Sequence, residues 1–142
     1  MKLKYTLTAL LLMLSISIIH AQKIKIKKGI IYVDGEKCLS TDGYPVNTTF
    51  YDINGEEIIF MKYLDDPKDG ETYSKVTFLD QKISFTTKSY IFTRKMLLRR
   101  LLANKTIENC KLIPEKVERF ILKYDENIEK DDINVNISID RN

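Results

Sequence analysis

The sequence predicts an α+β protein, an antiparallel β-sheet built from hairpins with two amphipathic helices on one face. Three observations lead there. Short β-branched and aromatic runs, punctuated by turn dipeptides, occupy the chain from Ile24 to Thr87. The apolar spacing then becomes helical between Thr93 and Ile128. It returns to strict alternation in INVNISID, where Ile133, Val135, Ile137 and Ile139 alternate with polar residues. Six to eight strands are expected, the last of them at the C-terminus.

The elements follow in order. Lys2 and Lys4 precede the apolar run TLTALLLMLSISII, and Ala21 stands before a polar boundary. This is the layout of a bacterial secretory signal peptide, and the run falls short of the roughly 20 apolar residues that span a membrane. Ile19, two residues before Ala21, departs from the small residue usual there. Residues 1–21 are thus expected to be removed and residues 22–142 to form one α+β domain. That domain would be periplasmic or secreted, with no stable transmembrane span.

In the next stretch Lys23, Lys25 and Lys27 alternate with Ile24 and Ile26, the period of a strand with one wet face. Lys28-Gly29 breaks it before IIYV. Asp34-Gly35 is a hairpin dipeptide between IIYV and EKCL, and Asn54-Gly55 promises a two-residue turn because both residues tolerate positive φ. The polar loop DDPKDGET leads into YSKVTFL, which pairs with KISFTT around Asp80-Gln81.

Thr93 is placed to cap a helix ending at Asn104, with Leu97, Leu98, Leu101 and Leu102 on one face. Lys95, Arg99 and Arg100 fall on the other. A second helix opens at Pro114 and carries Val117, Phe120, Ile121, Tyr124 and Ile128 as its stripe. The run DENIEKDD reads as its polar end.

Chemistry is bounded mainly by what is missing. The only histidine, His20, leaves with the signal. Ser-His-Asp and Cys-His catalysis, histidine-bearing zinc sites and c-type haem attachment are thereby excluded. No CxxC, GxGxxG or GxxxxGK[ST] occurs, so no cofactor is implied. DDPKDGET places Asp65, Asp69 and Gly70 as a calcium loop would. Pro67 and Val76, however, occupy positions that need ligands. Cys38 and Cys110 leave two alternatives open, one long-range bridge or two buried thiols.

Signal removal takes two lysines and no acid, so 23 basic residues become 21 against 20 acidic, a net of +1. The charge is nonetheless segregated. Residues 54–80 carry a net of −4, residues 81–123 a net of +8 and residues 124–142 a net of −4. A basic helical segment between acidic ones suits an anionic partner, and Arg94, Lys95, Arg99 and Arg100 are its candidate surface. The bland alternative is a solvated helix back that offsets the acidic segments. Nucleic acid is not expected, since export removes it and no aromatics interleave the charge.

The leading expectation is therefore an exported, non-enzymatic binding domain that meets an anionic envelope component or protein. Its rivals are a histidine-free hydrolase using carboxylates, and a structural envelope component assembling through a strand edge.

Overall fold

The computed structural model describes residues 21–129. The signal expected over 1–21, apart from Ala21, and the strand expected over 133–139 lie outside the described residues.

Seven strands form one antiparallel sheet in which spatial order equals sequence order. They are β1 (Ile24–Lys27), β2 (Ile30–Val33), β3 (Glu36–Asp42), β4 (Asn47–Tyr51), β5 (Glu57–Asp65), β6 (Thr72–Phe78) and β7 (Ile83–Thr87). The first two connections are two-residue turns. Lys28 and Gly29 take φ of 51° and 76° between Lys27 and Ile30, and Asp34 and Gly35 take 52° and 88° between Val33 and Glu36. Positive φ at both central positions matches the twist of the flanking strands. Gly29 has a further constraint, because a Cβ there would stand 2.7 Å from the Thr41 carbonyl oxygen.

The turn at Asn54-Gly55 differs from its expected two-residue form. Only Gly55 has positive φ, and the connection spans residues 52–56. The Asp52 carboxylate accepts the N–H groups of Asn54 (2.8 Å) and Glu56 (2.9 Å), so a side chain organises this loop.

Pairing places alternate residues on an inner, apolar face. Ile31, Leu39, Phe50, Ile59, Met61, Val76, Phe78 and Phe85 are all buried there. Two helices cover this face, α1 (Arg94–Ala103) and α2 (Pro114–Tyr124). The Thr93 hydroxyl accepts the Met96 N–H at 3.2 Å, the expected cap of α1. Leu97, Leu98 and Leu101 are buried, while Leu102 is half-buried. From α2, Val117, Phe120 and Tyr124 enter the same core. Phe85 is the hub of an aromatic cluster, with ring centroids 6.4 Å from Phe78, 6.1 Å from Phe92 and 5.7 Å from Phe120.

The second helix is shorter than its apolar stripe suggests. It stops at Tyr124, and Asp125 turns its carboxylate to the N–H groups of Thr86 (3.1 Å) and Asn127 (3.0 Å). Asn127 has a φ of 54°, which continues no helix. Ile128 is buried, but its N–H donates to the Thr86 hydroxyl (2.9 Å), so it packs beyond the edge of β7. Residues 125–127 of DENIEKDD thus form a non-helical strap across β7, and the backbone is helical again at Ile128 and Glu129.

Between the helices lies a hairpin absent from the sequence reading, β8 (Ile107–Glu108) with β9 (Lys111–Leu112). Asn109 and Cys110 form its tip with φ of 49° and 61°. The Cys110 sulfur stands 2.18 Å from that of Cys38, and their Cα atoms are 5.1 Å apart. That is disulfide distance, and it links β3 to the hairpin between the helices.

Two outcomes are expected. Phe85→Ala lowers stability by about 3–5 kcal/mol, whereas Leu122→Ala, on the exposed side of α2, changes it by less than about 0.5 kcal/mol; urea melts measure both. Thiol titration of the denatured, unreduced protein finds no free sulfhydryl. Opening a bridge of 72-residue separation lowers stability by about 4 kcal/mol in the chain-entropy model.

Candidate functional site

The four basic residues singled out in the sequence are all placed by α1, but they do not form one cluster. Lys95 and Arg99, one turn apart, are exposed on the side away from the leucines. Arg100 lies further round, beside the exposed Met96, and its guanidinium carbon stands 6.0 Å from the Tyr90 ring centre. Arg94, in the first turn, is half-buried and lies over Tyr44, 4.3 Å from the ring centre. That distance is a cation–π contact. Tyr44 is 52% exposed and Tyr90 40% exposed, so each arginine has a ring open to solvent beside it.

These aromatic neighbours were missed by sequence reasoning. Tyr44 is far from Arg94 along the chain, and only the β3–β4 loop brings it to the helix. Tyr90 is closer in sequence, but its ring is turned toward α1 by stacking on Phe92 and meeting Tyr124 edge-on.

A groove beside Arg99 has a volume of about 1090 Å³. Ile24, Leu102 and Ile107 supply its apolar walls, and Arg99, Lys105 and Glu108 its charged ones.

The acidic segments are organised differently. In the β5–β6 loop Asp66 is buried, and its carboxylate accepts the Lys68 N–H at 3.0 Å. Lys88, at the end of β7, sets its ammonium 2.6 Å from Asp66, 2.5 Å from Asp69 and 3.9 Å from Glu71. The lysine occupies the place where a cation would have to sit in a calcium loop. Asp65 points elsewhere and accepts the Thr72 hydroxyl at 3.0 Å. Among the described residues, no group of three or more His, Cys, Asp or Glu side chains is arranged to hold a metal ion.

The hydrogen bond from Lys88 holds the Asp66 carboxyl below the usual aspartate range, with the Lys68 N–H adding to it. Asp69 is lowered by the same lysine and by the Glu71 N–H. Lys88 is raised above the ordinary lysine value by its bonds to both aspartates. Two carboxylates held ionised in this way cannot divide acid and base roles, which require pKa values pushed apart. Burial pushes Glu126 up, but bonds from the Ser89 hydroxyl and the N–H groups of Ser89 and Lys88 outweigh it and leave its carboxyl lowered.

No protein-family model, curated protein or solved structure matches the chain. Among the described residues, no helix is long and apolar enough to cross a membrane.

The Lys88 cluster predicts a specific pH profile. Lowered aspartates stabilise the fold fully above their unfolded pKa of about 3.9, and that contribution is lost as pH falls through their folded values. A raised lysine stabilises fully below its unfolded pKa of about 10.4, and its contribution is lost as pH rises toward the folded value. Lys88→Gln should therefore lower Tm between these limits and flatten its decline on both the acid and the alkaline side. Thermal melts at closely spaced pH values measure this, and an unchanged profile would contradict the assignment.

Proposed function

We propose that the mature chain is an exported binding module, not an enzyme, and that it docks an anionic partner through Lys95, Arg99 and Arg100, with Arg94 alongside. One contrast carries this reading. Lys88 and Lys75 are paired with carboxylates inside the fold, Lys75 to Glu129 at 2.5 Å. The four cations of α1 have no such ion pair among the described residues. Among the described residues they are therefore not engaged with the acidic side chains, which supports a role toward an outside anion.

Export is supported by the leader and by the two cysteines at disulfide distance, since disulfides persist in oxidising compartments. The exposed Tyr44 and Tyr90 rings add flat apolar surface beside the arginines. An anionic glycan or an acidic protein segment would find both charge and stacking area there.

The experiment is retention of the mature protein on immobilised heparin, used as a polyanion probe. The triple variant Lys95→Glu, Arg99→Glu, Arg100→Glu should elute at much lower salt with Tm nearly unchanged, because exposed side chains contribute little to stability. A control reversing Lys111 and Lys116 should elute near the wild-type position. Equal retention of the triple variant and wild type would remove this surface from the proposal.

A further inference from the structure

The two edges of the seven-stranded sheet are treated differently. At β7, the strap after α2 takes up the outward backbone groups. Glu126 N–H donates to the Thr86 carbonyl at 2.8 Å, Thr86 N–H to the Asp125 carboxylate at 3.1 Å, and Lys88 N–H to Glu126 at 2.5 Å. At β1, no described strand or side chain does the same.

The ladder shows which β1 groups face outward. Asp34 N–H donates to the Lys23 carbonyl at 2.9 Å, which makes Lys23 a hydrogen-bonded position opposite β2. Such positions alternate in an antiparallel pair. Lys25 and Lys27 therefore also turn their N–H and C=O groups toward β2, opposite Tyr32 and Ile30. Ile24 and Ile26 turn theirs to the open edge, giving two donors and two acceptors in the spacing a further strand needs.

The two sides of this edge differ in chemistry. On the inner side lies the groove of about 1090 Å³, walled by Ile24, Leu102 and Ile107. On the outer side Lys23, Lys25 and Lys27 line a second hollow of about 390 Å³ with Tyr32. Lysines alone are a common guard against edge pairing. Guarding does not require an apolar groove along the other side of the same edge.

We propose that β1 is a docking edge for an extended peptide segment of another protein in which acidic and apolar residues alternate. Successive side chains of an added strand point to opposite faces. Its acidic residues meet Lys23, Lys25 and Lys27, and its apolar residues enter the groove beneath Arg99. Main-chain hydrogen bonds to Ile24 and Ile26 supply the affinity, and the alternation supplies the specificity. This deepens the anionic-partner reading, on which it rests, by naming the partner as a polypeptide.

The test uses the mature chain and an acetylated heptapeptide alternating glutamate with valine, followed by calorimetry and backbone amide shifts. Three comparison probes are the lysine–valine peptide, the same glutamate–valine peptide N-methylated at alternate residues, and heparin. The glutamate–valine peptide should bind and shift Ile24, Ile26 and Ile107. N-methylation should weaken it by at least about tenfold, the loss of one or more net main-chain hydrogen bonds. The variant Lys25→Glu, Lys27→Glu should weaken it by a similar factor at unchanged Tm. Equal binding of the N-methylated peptide overturns strand addition. Heparin binding without peptide binding also overturns it, while the anionic reading stands. Failure of both heparin and peptide to bind sinks both.

Discussion

The fold depends on burying the inner face of the β-meander under two short helices, and Phe85 is where that burial converges. Its ring meets Phe78 from the neighbouring strand, Phe92 from the entry to α1 and Phe120 from α2. A helix of ten or eleven residues is marginal alone in water. Both helices therefore persist through what they bury, and their outer faces are free to carry charge. The basic surface of α1 is a by-product of the leucine face that anchors it.

Edges are the second constraint. A seven-stranded antiparallel sheet that does not close leaves two rows of unpaired backbone groups. The chain resolves one of them by ending α2 early and sending residues 125–129 across β7. Asp125, Glu126 and Ile128 all engage Thr86 or its neighbours. The other edge, β1, has lysines on one side and an apolar groove on the other, and the chain supplies nothing to it among the described residues.

Electrostatics divides along the same lines. The acidic β5–β6 loop is closed over Lys88, and Glu129 of the strap meets Lys75. Charges that meet across the fold organise loops, whereas on α1 Lys95, Arg99 and Arg100 are exposed and Arg94 is half-buried against Tyr44. Among the described residues, Asp66, Asp69 and Glu129 are thus paired within the fold, while Lys95, Arg99 and Arg100 are exposed on α1.

Much of this was determined by sequence alone. Alternation of Lys23 to Lys27, the Asp34-Gly35 turn, the Thr93 cap and the leucine face of α1 are local rules that need only a few neighbouring residues. Other features needed the tertiary structure. Asn54-Gly55 has the residues of a two-residue turn, yet Asp52 supplies a better set of partners and lengthens the loop. Ile128 fits the helical stripe of α2, but Thr86 offers hydrogen bonds that straight continuation of the helix would forgo. The β8–β9 hairpin is too short for a periodic signal, and the partner of Cys110 lies 72 residues away. Arg94 on Tyr44 and Lys88 among the loop aspartates join residues from separate elements. Local patterns register where a residue's partners are near in the chain; where they come from another element, only the packed sheet and helices decide which contact forms.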